Sequence, residues 1–208
     1  MYSLTLTEVY QLLDQHHLLK KADESLLDTA IAFTYLSYDS RDIKADTLFF
    51  CKGKNFKAQH LDSVIDQGVE VYLSEKHYET VKTEILVTDI REAIIAQKFY
   101  HDPQEHLIKI GITGTKGKTT AAYFLFTILS HSLNQSVALF SSEETTVDGK
   151  TMTPSKLTTP EALVLYRQMA QAVNNGLTHV VMEVSSQAYK TKRVFGLSFD
   201  IGIRSEEH

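Results

Sequence analysis

A glycine-rich segment directly after an apolar run is the feature that most restricts the fold of this 208-residue chain. The apolar run, LIKI at Leu107–Ile110, is typical of a buried strand, and the segment GITGTKGKTT at Gly111–Thr120 follows it without a break. Next comes AAYFLFTILSHSL, an apolar stretch long enough for a helix. A strand, a glycine loop and a helix in this order predict backbone N–H groups that converge on an anion at the helix N-terminus.

The residue types in this loop fit a phosphate group. Gly114 and Gly117 allow the backbone to bend closely around an anion, because no Cβ blocks the approach. Lys118 is expected to reach the β- and γ-phosphates of a nucleotide, and the Thr119 hydroxyl to bind Mg²⁺. The usual pattern has a further glycine where this chain has Ile112, so the loop matches a shorter variant. The sequence predicts an ATP site formed by Gly114, Thr115, Lys116, Gly117, Lys118, Thr119 and Thr120. The alternative is a glycine turn that leads into a helix, with lysines in solvent.

Strand and helix patterns alternate along the whole chain, which predicts an α/β fold with parallel sheets. We expect a small N-terminal α/β domain at residues 1–104 and the N-terminal part of a P-loop, parallel-sheet domain at residues 105–208. Helices are predicted at 7–19, 60–68, 89–102, 118–133 and 158–176. Strands are predicted at 30–41, 47–56, 69–73, 84–89, 107–113, 136–140, 178–184 and 199–203, with a hairpin turn at Asp148-Gly149.

The composition excludes several classes of partner. Lysine and arginine number 21 against 26 aspartate and glutamate residues, a net charge of −5, which argues against a broad nucleic-acid or anionic-membrane surface. No apolar run approaches the ~20 residues of a membrane span. The single Cys51 cannot form an internal disulfide, and the N-terminus lacks a secretory pattern. The sequence therefore predicts a cytoplasmic protein that binds neither nucleic acid nor membrane.

Several motifs, taken together and in order, carry a resemblance to a known family. They are YDSR (38–41) and DTLFFCKG (46–53) in the first domain, and GTKGKTT (114–120), LTTPE (157–161) and MEVSSQAY (182–189) in the second. In combination they resemble the Mur ligases, ATP-dependent enzymes that extend the peptide of the bacterial cell-wall precursor. The resemblance covers most of residues 35–203, and it implies that the first domain binds a uridine nucleotide.

The resemblance also implies a reaction. ATP phosphorylates the terminal carboxylate of UDP-MurNAc-L-Ala-D-Glu, and an amino group of a diamino acid attacks the acyl phosphate and releases phosphate. Gln187 and Tyr189 look like the lysine-adding subgroup, which favours L-lysine over meso-diaminopimelate. Lys118, the expected catalytic residue, and Mg²⁺ would stabilise the charge that develops on the transferred phosphoryl group.

Three residues near the end of the chain receive roles from the resemblance. Glu183 would hold Mg²⁺ together with Thr119, whereas the alternative is a strand-end carboxylate in solvent. A carboxylate at the end of a buried strand is costly without a cation, which favours the metal role. Ser185 and Arg193 resemble substrate contacts, and a guanidinium suits bidentate binding of carboxylate or phosphate. For Arg193 the alternative is a solvated basic face.

The pair Thr158 and Thr159 has two interpretations. Thr159 is placed to cap the helix that follows it, and the resemblance assigns both threonines to contacts with the sugar-peptide substrate. The two interpretations are compatible, because a cap exposes amides that also bind anions.

In the first domain, Ser40 resembles a contact to the uridine diphosphate. Its neighbours Asp39 and Arg41 could instead form a local ion pair. Lys54 and Asn55 occupy a loop that faces the nucleotide in the family.

The chain departs from the family pattern after residue 203, where FDIGI is followed by RSEEH. Complete members are longer and have a further domain that selects the incoming amino acid. We therefore expect a fragment that binds the uridine precursor and ATP but does not ligate. The alternatives are a non-catalytic sugar-nucleotide-binding module and another P-loop phosphotransferase, such as a small-molecule kinase.

Overall fold

The computed structural model describes residues 2–20, 30–53, 56–80, 82–134 and 136–205. The chain divides into two compact units, Met1–Phe99 and Tyr100–His208. Within the described ranges, no helix has the length and apolar character that a membrane span requires.

The first unit is a parallel sheet with helices between its strands. Among the described residues its sheet has the order β3-β4-β5-β6, with all neighbours parallel, and a separate antiparallel pair joins β1 and β2. The elements are β1 (Leu4–Thr5), α1 (Leu6–Gln15), β2 (Ala32–Phe33), β3 (Tyr35–Ser37), β4 (Thr47–Phe50), α2 (Ala58–Asp66), β5 (Val71–Ser74), β6 (Thr83–Leu86) and α3 (Glu92–Phe99). The carboxyl ends of β3 and β4 share one edge of the sheet, so the loops that follow them lie together.

Local sequence signals determine where helix α1 begins and ends. A capping box begins it, in which the Thr5 hydroxyl accepts from the Glu8 N–H and the Glu8 carboxylate accepts from the Thr5 N–H. The N–H and then the hydroxyl of Thr5 lower the pKa of Glu8. The helix ends at Gln15, before the predicted residue 19, because His17 takes a positive φ of 54°. The predicted strand at 30–41 is likewise divided into β2 and β3.

The core of the first unit lies between β4, β5 and α2. All residues of β4 are buried, and Phe49, Leu61, Val64 and Tyr72 pack in one cluster. Cys51 belongs to the same cluster, and burial raises the pKa of its thiol to about 12. The thiol therefore stays protonated at neutral pH and acts as a small apolar core residue.

The second unit is built on a mixed sheet with a parallel centre. In the described residues the order is β10-β9-β8-β11-β7-β12, where β8, β11, β7 and β12 are parallel and the β9–β10 hairpin is antiparallel. A 3₁₀ helix at Pro103–His106 precedes β7 (Ile108–Gly114), α4 (Lys118–Ser132), β8 (Val137–Phe140), β9 (Glu144–Thr146), β10 (Thr153–Pro154), α5 (Ala162–Asn174), β11 (His179–Glu183), α6 (Ser186–Lys190) and β12 (Ile201–Ser205). The hairpin at Asp148-Gly149 and the parallel α/β arrangement are confirmed.

Strand order decides which strand ends meet. β7 lies between β11 and β12, and β11 lies between β7 and β8, so the loops after four parallel strands gather at one edge, where open α/β sheets bind ligands. At the opposite edge of the sheet, a buried lysine fixes the start of β12: the Lys109 ammonium lies 3.0 Å from the Asp200 carboxylate and donates to the Gln104 and Leu107 carbonyls. The backbone N–H and then the ammonium of Lys109 lower the pKa of Asp200.

Two predicted helix boundaries are wrong. α5 begins at Ala162 with Glu161 as its N-cap, so Thr159 does not cap it. α3 ends at Phe99 rather than directly before the proline at 103, because His101 and Asp102 take left-handed φ values of 60° and 51°. α5 thus begins later, and α3 ends earlier, than the residue pattern suggested.

Candidate functional site

The loop between β7 and α4 is bent at its two glycines. Gly114 has a φ of 146° and Gly117, the N-cap of α4, has a φ of 75°. A Cβ on Gly114 would lie 2.3 Å from the backbone oxygen of Ser205, closer than any real Cβ contact. The Ser205 hydroxyl donates to the Lys116 carbonyl at 2.6 Å. The end of β12 therefore packs against the loop, and only glycine fits at position 114.

A cavity of about 570 Å³ opens beside this loop. Its lining combines loop residues with the starts of α4 and α6 and the end of β12: Thr113, Gly114, Thr115, Lys118, Ser185, Ser186, Arg204 and Ser205. The Lys118 ammonium donates to the Gly114 carbonyl at 2.9 Å. The structure thus brings the predicted Lys118, the loop and Ser185 to one cavity, and adds Arg204, which the sequence patterns did not single out.

A chain of hydrogen bonds joins the start of α4 to the end of β11. Ser142 donates to Glu183 Oε1 through both its N–H (2.8 Å) and its hydroxyl (2.9 Å), and Thr119 Oγ1 lies 2.9 Å from Ser142 Oγ. A serine hydroxyl has a single hydrogen and an ionised carboxylate only accepts. Ser142 therefore gives its hydrogen to Glu183, and Thr119 donates to Ser142. This leaves the lone pairs of Thr119 Oγ1 for another partner.

The carboxylate of Glu183 has the character of a metal ligand. Glu183 is only 1% exposed, and its Oε2 makes no hydrogen bond to the residues that the structure describes. A buried carboxylate oxygen without a partner is costly, and a divalent cation would remove this cost. No group of three or more His, Cys, Asp or Glu side chains suited to a metal occurs in the described ranges. Mg²⁺ commonly takes only one or two protein carboxylates and completes its shell with phosphate oxygens and water.

Ser142 is a second residue that sequence reasoning missed. It is the second residue after the buried strand VALF, and its position just beyond a buried strand is the signal that could have found it. That signal becomes specific only when β8 is known to neighbour β11, because Ser142 and Glu183 are 41 residues apart.

Thr159 and Arg193 hold the segment after β11 in place. Thr159 is fully buried; its hydroxyl donates to the Glu183 carbonyl and accepts from the Ser185 N–H, both at 3.0 Å. Its carbonyl accepts from Arg193 Nη1 at 3.0 Å, and Arg193 Nη2 lies 2.6 Å from the Glu161 carboxylate. In this structure the guanidinium thus binds protein groups, and Arg193 does not line the cavity. The alternative of a solvated basic face is wrong for Arg193, whose side chain is 13% exposed.

The neighbours of these residues are partly accessible. Thr158 is half-buried, and Ser185 lines the cavity while its Oγ caps α6 by accepting from the Ala188 N–H at 3.2 Å. Thr120 is exposed and is not among the cavity-lining residues given above.

Glu144, the first residue of β9, is bound by a tyrosine of α4. The Tyr123 hydroxyl donates to Glu144 at 2.8 Å, and burial followed by this contact raises the pKa of Tyr123. The Glu144 carboxylate is therefore bound to α4.

The first unit has a second cavity, of about 450 Å³, at the carboxyl ends of β3 and β4. It is lined by Tyr38, Asp39, Ser40, Arg41, Lys52, Gly53, Phe56 and His60. Ser40 is thus in a cavity wall. Arg41 forms the local ion pair with Asp39, at 2.9 and 2.7 Å, and its side chain is 87% exposed. Lys54 and Asn55 lie outside the described residues.

Comparison with known proteins supports one family. The chain is 54% identical over 177 residues to the UDP-N-acetylmuramoyl-L-alanyl-D-glutamate--L-lysine ligase of Streptococcus thermophilus, covering 84% of this chain and 36% of the relative. It is 57% identical over 173 residues to the enzyme of that name from Enterococcus faecalis, covering 82% of this chain and 34% of the relative. The chain therefore spans about a third of the length of these curated relatives.

Solved structures show the same fold at lower identity. A UDP-N-acetylmuramoyl-L-alanyl-D-glutamate--2,6-diaminopimelate ligase superposes with a TM-score of 0.73 at 21% identity, over 100% of this chain and 42% of that one. A UDP-N-acetylmuramoylalanyl-D-glutamyl-2,6-diaminopimelate--D-alanyl-D-alanyl ligase from Acinetobacter baumannii gives 0.52 at 18% identity, over 88% and 36%. Residues 112–205 match the Mur ligase middle domain, and the chain belongs to the Mur ligase family.

Proposed function

We propose that this chain carries the precursor-binding and ATP-binding parts of an ATP-dependent ligase that adds L-lysine to UDP-MurNAc-L-Ala-D-Glu. The names of the relatives support the substrate and the amino acid. The observation that carries the proposal is the Thr119–Ser142–Glu183 chain beside the glycine loop, which ends in a buried carboxylate oxygen without a partner. An ordinary helix-leading turn does not need such an arrangement.

Each unit has its own role in this proposal. Residues 1–104 bind the uridine diphosphate of the precursor in the cavity that contains Ser40, with Lys54 and Asn55 as further contacts. Residues 105–208 bind ATP through the loop at 114–120. Four residues after the loop serve the sugar-peptide substrate. Thr158 and Ser185 contact it, whereas Thr159 and Arg193 hold the segment after β11 in place.

The residues of the loop perform binding, orientation and charge stabilisation. The amides from Gly114 to Lys118 and the Lys118 ammonium hold the β- and γ-phosphates, which places the transferred phosphoryl group in line with the substrate carboxylate. Thr119 Oγ1 and Glu183 Oε2 would hold Mg²⁺, which when bound neutralises phosphate charge. Transfer of the γ-phosphoryl group from ATP to the carboxylate gives an acyl phosphate and ADP. Attack by the lysine amino group on the acyl carbon then forms the amide and releases phosphate and a proton.

ATP titration of the full chain, with Mg²⁺ and with EDTA, tests this function. We expect Mg²⁺ to tighten ATP binding about tenfold or more, because a charge-assisted contact is worth about 1.5–3 kcal/mol. Glu183→Gln should remove the Mg²⁺-dependent gain and leave binding in EDTA unchanged. Calorimetry measures both affinities, and thermal unfolding confirms that the variant is folded. A chain that binds no ATP in either condition contradicts the proposal.

Ser142→Ala is expected to reduce the Mg²⁺-dependent gain in ATP affinity about fivefold. The variant keeps the backbone N–H bond to Glu183 but loses the hydroxyl that orients both Glu183 and Thr119, a loss of about 1 kcal/mol. Ser155→Ala is the matched control, because its hydroxyl bonds Thr145 in the β9–β10 hairpin. An equal loss of affinity in EDTA would show instead that Ser142 shapes the loop and does not act through the metal ligands.

A further inference from the structure

A buried ion pair lies behind the cavity of the first unit. Lys52 follows β4 and lines the cavity, and its ammonium contacts the carboxylate of Glu92, the first residue of α3. The Glu92 side chain is 5% exposed and the Lys52 side chain 25% exposed. Glu92 is not among the cavity-lining residues. The cation is therefore at the cavity wall, and its counter-charge is inside the protein.

This arrangement restricts the position of the ammonium. A lysine side chain in solvent samples many rotamers, and fixing it in one of them costs conformational entropy. A buried carboxylate that lacks a cationic partner is costly, so Glu92 retains Lys52. The negative charge of Glu92 also suits the first turn of α3, where the helix dipole is positive. The Lys52 ammonium is therefore already oriented when a ligand enters this cavity.

The other cation of this cavity is held differently. Arg41 is bound to Asp39, which itself lines the cavity, and the Arg41 side chain is 87% exposed. An anion in the cavity meets the Asp39 carboxylate together with the Arg41 guanidinium. At Lys52 it meets an ammonium whose carboxylate partner is on the far side. Lys52 is therefore the better-placed cation for a phosphate group.

We propose that Glu92 is a positioning residue for this cavity, and that its buried carboxylate holds the Lys52 ammonium where it contacts the diphosphate of a nucleoside diphosphate ligand. The inference rests on the proposed function, in which this cavity binds a uridine diphosphate. It assigns roles to Lys52 and Glu92 beyond the Ser40 contact.

A pure charge effect and a positioning role predict opposite changes in anion affinity when Glu92 is replaced by glutamine. Glu92→Gln removes a negative charge near the cavity, and by charge alone it should tighten the binding of an anion. If Glu92 acts by positioning Lys52, the same change weakens binding. The Glu70→Gln variant is the matched control, because it removes the same charge from a carboxylate that is 69% exposed and is not in this cavity.

The experiment is calorimetric titration of the full chain with UDP and with uridine. We expect Lys52→Met to weaken UDP binding about tenfold and Glu92→Gln about threefold to tenfold, with Glu70→Gln and all uridine affinities unchanged. The double variant should bind UDP like Lys52→Met alone, because Glu92 acts only through Lys52. Thermal unfolding of each variant reports on its folding.

The outcomes distinguish a failure of the positioning role of Glu92 from a failure of the proposed UDP site. If the unaltered chain binds UDP but Glu92→Gln binds it equally well or more tightly, the positioning role is overturned and the cavity assignment stands. Equal losses for UDP and uridine would show a general disturbance of the cavity, which also overturns the role. If the unaltered chain does not bind UDP, the cavity assignment fails, and the inference fails with it.

Discussion

Replacing Lys118 with methionine is expected to weaken ATP binding about 100-fold. The ammonium is at the first residue of α4, in the wall of the loop cavity, where it donates to the Gly114 carbonyl at 2.9 Å. A charge-assisted hydrogen bond to phosphate is worth about 1.5–3 kcal/mol, and a loss of about 2.7 kcal/mol corresponds to 100-fold. Methionine keeps the length and apolar stem of lysine, so the fold should survive.

Lys156→Met provides the control for this variant. Lys156 is an exposed lysine of the same unit and is not among the residues that line the loop cavity. It removes the same charge, so a long-range effect of net charge would weaken ATP binding in both variants. Calorimetry in the presence of Mg²⁺ gives the two affinities. Similar affinities for the two variants would mean that the Lys118 ammonium does not contact the phosphates.

Gly114→Ala is expected to destabilise the second unit by about 3 kcal/mol and to abolish ATP binding. The residue would have to adopt a φ of 146°, a strain of about 1–3 kcal/mol for a residue with a Cβ. Its Cβ would also lie 2.3 Å from the Ser205 backbone oxygen, and relief of such overpacking costs about 1–3 kcal/mol. Either β12 moves away from the loop or the loop loses its bend. Urea denaturation followed by circular dichroism measures the change in the free energy of unfolding.

Two other glycines of the unit separate strain from overlap. Gly176 has a φ of 77° but open space around its Cβ position, so Gly176→Ala should cost about 1 kcal/mol from strain alone. Gly202 has neither constraint, and Gly202→Ala should change stability by less than about 0.5 kcal/mol. If Gly114→Ala is no more destabilising than Gly176→Ala, the end of β12 does not pack against the loop in solution.

Much of the fold could be predicted because its signals are local. The apolar run before Gly111 and the apolar helix after Gly117 place the loop between a strand and a helix, and the turn at Asp148-Gly149 marks a hairpin. Boundaries were less certain where single residues take left-handed geometry, as His17 does after α1 and Asp102 does after α3. Such backbone choices depend on the packing around them.

The candidate site was only partly predictable. The pattern could nominate Lys118, Thr119 and Glu183, since each occurs in a recognisable motif. It could not find Ser142, because the role of Ser142 depends on its hydrogen bond to Glu183, 41 residues further along the chain. It nominated Arg193 as a substrate contact but could not foresee the Arg193–Glu161 ion pair at 2.6 Å.

The sequence by itself determined which elements form and that a glycine loop precedes a helix, because apolar periodicity and turn chemistry act over a few neighbouring residues. Only the tertiary structure decided which polar groups meet. In the second unit the parallel strands do not pair in chain order, since β11 lies between β7 and β8. That order puts Glu183 beside Ser142 and Thr119, and the packing of the first unit likewise puts Glu92 behind Lys52. Burial then makes these contacts strong, since a charge removed from water must find its partner within the protein.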